Sequence, residues 1–163
     1  MKVYGGDIMH GGLDSEKISC IEAILYSEDL NEATKQVASI GDSEMLYVLA
    51  ANYNWDNGFS IPRAIITNNN CDMSTGLMMF YLSDGIRLLV DKESVEQSGL
   101  DEWSKFITEV YSKLEMDVFK RSSISYYPEL TKVQLFKLKK SNPNIPGFFL
   151  DGIEGNDIEI PMI

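Results

Sequence analysis

Apolar residues recur at intervals of three and four positions along much of the chain, the spacing that lines one face of an α-helix. The clearest stretch runs from Ser98 to Met116, and its opposite face is charged. Its apolar positions are Leu100, Trp103, Phe106, Ile107, Val110, Tyr111 and Leu114. This spacing predicts a long amphipathic helix with one side in the core.

Six further helices are predicted from shorter runs of the same kind, at about 14–26, 29–40, 42–52, 61–67, 75–82 and 128–140. Asp, Ser and Thr favour the position before a helix. The expected caps are therefore Asp14 or Ser15, Asp29, Asp42 or Ser43, and Ser74 or Thr75. The run 42–52 is apolar almost throughout, which predicts a central helix. The expected apolar faces include Leu30 of the second helix and Val133 and Phe136 of the last.

Short strands are predicted only at the edges of this helical pattern. Residues 2–4, 122–127 and 157–162 are the candidates, and 86–90 suits either a strand or a helix. The segment 157–162 is equally consistent with a docking segment. Four glycines in residues 1–13 predict a turn or a mobile arm. With no repeat and no linker, the expected fold is mainly α (α+β with a few short peripheral strands), in one compact helical domain spanning 1–163.

One segment combines polar and aromatic residues in an unusual order. Residues 46–58 read LYVLAANYNWDNG, followed by Ile61-Pro62, Cys71-Asp72, a Thr-Gly-Leu step at 75–77 and the run FYLSDG at 80–85. This pattern resembles DUF4274, a bacterial family of unknown function. The likeness covers 46–85 and extends towards Leu114, so a DUF4274-like core is expected over 46–114. The resemblance implies no assigned activity, although small acidic members of such families resemble the immunity proteins of bacterial toxin systems.

The charge of the chain is strongly negative and unevenly distributed. The formal net charge is −11, and residues 1–60 hold ten acidic and three basic side chains. Plain solubility is the favoured interpretation of this charge. Such a field also repels phosphates, so nucleic acid is not an expected partner, whereas a basic protein is. The acidic side chains expected to contact it are Glu16, Glu22, Glu28, Asp29 and Glu32.

Residues 120–140 differ from this trend. They carry Lys120, Arg121, Lys132, Lys137, Lys139 and Lys140. A solvated helix face that balances the acidic remainder is the favoured interpretation. Contact with RNA or with an acidic surface is the alternative.

The chain offers little for metal or acid–base chemistry. His10 is the single histidine, and it lies among glycines that would not hold a base in place. Cys20 and Cys71 are too few and too far apart for a zinc site. They are expected to be buried thiols, and a disulfide between them is the alternative. No nucleotide-binding glycine motif is present. No cofactor, metal or membrane contact is expected, and the absence of a leader-like segment predicts a cytoplasmic protein.

A polar cluster provides the alternative site. Its members are Asn52, Asn54, Trp55, Asp56, Asp72 and Asp84. The three aspartates suit a hydrolase, and the set as a whole suits a small-molecule pocket. A calcium loop does not fit, because Asn57 and Arg63 occupy the positions that need Gly and Glu. Asn and Asp also cap helices and close turns, and a purely structural role is the favoured interpretation of these residues.

Three functional hypotheses follow from these patterns. The first is a non-catalytic immunity or inhibitor protein that occludes a basic bacterial toxin. The second is a small-molecule binder or hydrolase that uses the 52–84 polar cluster, and the third is a scaffold module of a larger complex. The charge, the small size and the lack of catalytic groups favour the first.

Overall fold

The computed structural model describes residues 12–121 and 124–163, and α-helices account for most of them. The helices are α1 (Ser15–Leu25), α2 (Leu30–Ser39), α3 (Ser43–Asn52), α4 (Ser60–Thr67), α5 (Met73–Leu82), α6 (Ile86–Val90), α7 (Lys92–Glu96), α8 (Asp101–Glu115), α9 (Lys132–Ser141) and α10 (Phe148–Asp151). A single turn of 3-10 helix, Trp55–Asn57, follows α3. The predicted mainly α fold is confirmed.

Aspartate side chains begin the first three helices, as predicted. The carboxylates of Asp14, Asp29 and Asp42 accept hydrogen bonds from backbone N–H groups two or three residues ahead, at 2.9–3.1 Å. These bonds satisfy donors that would otherwise lack a partner at a helix start.

The predicted cap of α5 was wrong by two or three residues. Asp72, rather than Ser74 or Thr75, precedes the helix and accepts from the Ser74 N–H at 2.8 Å. Ser74 is instead fully buried, and its hydroxyl donates to the Ile124 carbonyl at 2.6 Å. The serine therefore ties the helix to a distant segment and does not start the helix.

The core is centred on α3 and α5. All residues from Met73 to Phe80 are buried, and so are those from Leu46 to Ala50. The helices around them pack in pairs, with α8 on α5, α2 on α4, and α1 on α3. Buried residues from all these helices form one continuous apolar cluster. The expectation that the third helix is central is confirmed, and α5 shares that place.

The C-terminal part closes over this core through aromatic contacts. Phe149 of α10 is fully buried against Phe80 and Tyr111, with ring centroids 5.5 and 5.6 Å apart. The Tyr81 hydroxyl donates to the Phe149 carbonyl. These contacts hold the segment after α9 against α5 and α8.

The predicted strands are mostly absent from the described residues. Residues 86–90 form α6, because Ile86 and Leu89 are one helical turn apart and both are buried. The segment 122–127 contributes isolated bridges, which pair Ile124 with Asn156 and Tyr126 with Ile153. Residues 2–4, and all but two of the residues in the predicted arm 1–13, lie outside the described part.

Residues 157–163 dock without forming a strand. The Asn52 side-chain amide donates to the Pro161 carbonyl at 3.0 Å, and its oxygen accepts from the Ile163 N–H at 3.1 Å. Ile158 and Ile163 pack partly buried against the core. The docking alternative therefore describes this C-terminal segment, whose backbone groups bond to a side chain on α3.

Some residues on the predicted apolar faces are exposed. Leu30, Leu100, Val133 and Phe136 all face solvent to a large extent, since no other described element covers them.

The last long helix also begins later than predicted, at Lys132, after a capping box in which Thr131 and Gln134 exchange hydrogen bonds. A stable local cap thus excludes 128–131 from α9.

Candidate functional site

The predicted acidic contact residues lie on and between α1 and α2. Glu16, Glu22, Glu28, Asp29 and Glu32 are all exposed. None of the five forms a salt bridge with another described residue. No basic side chain at salt-bridge distance neutralises these carboxylates, so their electric field extends into the solvent.

A groove of about 460 Å³ lies between the two helices that carry most of these carboxylates, where α1, α2 and the start of α3 meet. We call it the acidic groove. It is lined by Cys20, Ala23, Ile24, Gln36, Ser39, Ile40, Gly41 and Met45. Most of the side chains that form its wall are apolar, which is the usual character of a pocket that accepts a side chain or ligand.

Helical spacing puts two of the five carboxylates on helix faces that also carry lining residues of the acidic groove. Residues four apart share a helix face, so Glu16 lies one turn before Cys20, and Glu32 one turn before Gln36. Asp29 faces elsewhere, because its carboxylate caps α2. We call these two carboxylates, one on each helix, the rim charges; Lys35, one turn before Ser39, is an exposed cation on α2 by the same spacing.

The groove was not predicted from the sequence, and a wrong prediction about Cys20 contributed. Cys20 is exposed and Cys71 buried, and both are free thiols. Burial raises the pKa of the Cys71 thiol well above its usual value. The spacing of Cys20, Ala23 and Ile24 could have indicated the groove, because it forms a second apolar stripe on α1.

One ion pair joins the first and third helices. Lys17 Nζ lies 2.6 Å from Asp42 Oδ2 and joins α1 to the N-terminus of α3. Burial alone would raise the pKa of Asp42, but the Lys17 ammonium and the Glu44 N–H outweigh it and hold that pKa below its usual value. Because Lys17 is engaged with Asp42, it does not neutralise Glu16.

The predicted polar cluster does not converge. Asn52 is engaged with the C-terminal segment, and the Asn54 side chain accepts from the Asp56 N–H at 3.0 Å. Asp72 and Asp84 stand at opposite ends of α5, which puts them roughly 15–18 Å apart at 1.5 Å per residue. Asp84 lines a separate surface cavity of about 350 Å³.

Trp55 and Asp84 also have local partners, and the Asp56 side chain is exposed. Trp55 packs edge-on against Tyr53 and within 5.7 Å of the Phe106 ring centroid, so its indole belongs to the wall of the core. Asp84 adopts a positive φ of 60° in the turn after α5 and pairs with Arg87 at 3.9 Å. Partial burial raises the pKa of Asp84 and the Arg87 guanidinium opposes that rise. The geometry supports structural roles for these side chains.

Metal-binding and membrane-spanning features are both missing from the part of the chain that the structure describes. In residues 12–121 and 124–163, no group of three or more His, Cys, Asp or Glu side chains is arranged to hold a metal ion. None of the described helices combines the length and the apolar character needed to cross a bilayer. His10 lies outside the described residues.

The central helices carry a known family signature. Residues 41–115 match the family model for a domain of unknown function, DUF4274. No curated protein and no solved structure matches the chain. The DUF4274 segment begins just before the Asp42 cap of α3 and ends with the last residue of α8, so it contains α3–α8. The predicted resemblance is confirmed.

The DUF4274 segment contributes only one edge of the candidate site. Gly41 and Met45 belong to it, whereas the other lining residues of the acidic groove come before the match begins, mostly on α1 and α2. The acidic groove is therefore a feature of the junction between the DUF4274 segment and its N-terminal flank.

Proposed function

We propose that this chain is a non-catalytic cytoplasmic binding protein whose acidic groove takes a basic protein partner. Its specific role would be that of an immunity or inhibitor protein that occludes the cationic active site of a bacterial toxin. The observation that carries the proposal is the pairing of uncompensated exposed carboxylates with an adjacent apolar groove.

The carboxylates and the apolar groove contribute to binding in different ways. Unpaired surface charge attracts an oppositely charged partner over a distance and raises the association rate. Affinity comes from a few anchors that become fully desolvated in a pocket. An arginine or a lysine suits both parts, since its alkyl stem can lie on the floor of Ile24, Ile40 and Met45 while its charge reaches Glu16 or Glu32.

Exposed apolar residues extend the surface beyond the groove. Tyr26 is 72% exposed at the end of α1, and Leu30 is 48% exposed at the start of α2. Both lie next to the acidic turn that contains Glu28 and Asp29. Large side chains left uncovered beside charge are typical of the anchor positions of a protein interface.

Partner capture tests the proposal directly. Tagged protein is used to capture partners from the cytosol of its source and from cells that express the neighbouring gene, and bound proteins are identified by mass spectrometry. We expect one stoichiometric basic partner whose association rate falls as salt concentration rises. Recovery of no partner, or an association rate indifferent to salt, would contradict the proposal.

A matched pair of charge reversals then locates the interface. The E16K/E32K variant should weaken capture by at least about tenfold, because two rim charges become repulsive. The E93K/E154K variant makes the same change in net charge at two exposed carboxylates far from the groove in sequence. Equal loss in both variants would show a general charge effect and would exclude the acidic groove as the interface.

A further inference from the structure

A second groove, of opposite sign, lies between the α6–α7 pair and the C-terminal half of α9. It has a volume of about 620 Å³. We call it the basic groove. It is lined by Arg87, Val90, Asp91, Ser94, Lys137, Lys140 and Ser141. Three cationic side chains and two hydroxyl groups thus meet in one cavity of a chain whose net charge is −11.

The cation of the α6 wall is held in place. The Arg87 guanidinium lies over the Trp103 ring at 5.2 Å from its centroid, and Nη2 donates to Ser94 Oγ at 3.3 Å. Its Nε faces Asp84 at 3.9 Å. A guanidinium stacked on an aromatic ring loses less freedom when it binds a ligand.

The cations of the α9 wall are not engaged in ion pairs within the described part of the chain. Lys137 and Lys140 lie one turn apart, and neither forms a salt bridge with another described residue. The Asn142 side-chain amide donates to the Leu89 carbonyl and ties the end of α9 to α6. The two walls are therefore fixed relative to each other before any ligand arrives.

The lining contains one carboxylate, whose charge offsets part of that of the three cations. Asp91 Oδ1 accepts from the Ser94 N–H at 3.1 Å and begins α7. Lysines also stabilise the C-terminal end of a helix, which would explain Lys140. That effect does not explain why Lys137 and an arginine from another helix line the same cavity.

We propose that the basic groove binds a phosphate-bearing ligand. A guanidinium and two ammonium groups supply the charge-assisted donors that phosphate oxygens accept, and the Ser141 hydroxyl adds a neutral one. The Ser94 hydroxyl already donates to the Asp91 carbonyl at 2.9 Å. The strongly acidic remainder of the chain repels anions at long range, so binding depends on these short-range contacts. This site is separate from the acidic groove, and neither proposal rests on the other.

Pyrophosphate is the first probe, measured by calorimetry and by NMR shift changes in low salt. We expect saturable binding with shifts at α6, α7 and the second half of α9. The K137A/K140A variant should weaken it by about tenfold or more for each lysine. The K132A/K139A variant is the matched control, since it removes the same charge from the same helix outside the groove. Thermal melts confirm that both variants remain folded.

A second arm separates free phosphate compounds from phosphorylated protein. A phosphoserine peptide and its unphosphorylated form are titrated in the same way. Tighter binding of the phosphopeptide than of pyrophosphate, lost in K137A/K140A, assigns the groove to a phosphorylated chain, and the reverse order assigns it to a free compound. Equal weakening in both lysine variants, or no saturable binding of either probe, overturns the proposal.

Discussion

Replacing Asn52 by alanine should release the C-terminal segment from α3. Its side chain spans a sequence separation of more than a hundred residues, with its NH2 group bonded to the Pro161 carbonyl and its oxygen to the Ile163 N–H. A third bond, to the Val48 carbonyl at 3.0 Å, stays within α3. The prediction concerns the first two bonds.

The expected magnitude follows from those two bonds. Each intramolecular hydrogen bond contributes about 1 kcal/mol net, so N52A should lower the free energy of unfolding by about 2 kcal/mol. A chain of this size loses roughly 2–4 °C of melting temperature per kcal/mol, which gives a shift of about 4–8 °C. The bond to Val48 adds little, because alanine is the better helix former at that position.

A double-mutant cycle with the segment itself isolates the contact. Unfolding in urea is measured for the full chain and for a chain truncated after Asn156, each with and without the N52A substitution. N52A should cost about 2 kcal/mol in the full chain and close to nothing in the truncated one. An equal cost in both would show that Asn52 acts inside α3, and no cost in either would refute the proposed attachment of the C-terminal segment.

Three further predictions rest on single side chains. D72A should lower the free energy of unfolding by about 0.5–2 kcal/mol in urea melts, because α5 loses its cap, whereas D72N keeps an acceptor and should lose less. Thiol titration of the native protein should detect Cys20 alone, with Cys71 reacting only in denaturant; two reactive thiols without denaturant would contradict its burial. The stability that the Lys17–Asp42 pair contributes is present above pH 3.8, the ordinary Asp value, and is lost as pH falls through the lower folded-state pKa. D42N should therefore lose less stability on acidification than the natural chain, and parallel pH profiles would contradict this.

Helices with a clear apolar stripe were predictable because their periodicity and their caps agree. The helix α8 and the three helices that begin after Asp14, Asp29 and Asp42 were placed to within a few residues. Local sequence carries this information, since both the cap and the stripe involve residues within one or two turns.

Long-range partners were not predictable in the same way. Ser74 was expected to begin a helix, yet its hydroxyl bonds to Ile124, and Asn52 was expected in a pocket, yet it bonds to the C-terminal segment. Phe136 was expected on a buried apolar face, yet it is exposed. An apolar stripe does not reveal whether another element of the fold covers it. The acidic groove depends on how α1, α2 and α3 meet, which no local pattern contains.

The burial of α5 from Met73 to Phe80 affects how mutational scans of this chain should be read. A partner cannot touch this stretch of the helix while the protein is folded. Substitutions there that abolish function will therefore act by reducing the amount of folded protein, even where the measured loss of function in the scan is large. Gly76 is one such position, since a Cβ there would approach the Phe119 ring to 2.7 Å. Only substitutions at exposed residues outside this stretch can distinguish loss of contact with a partner from loss of the folded structure.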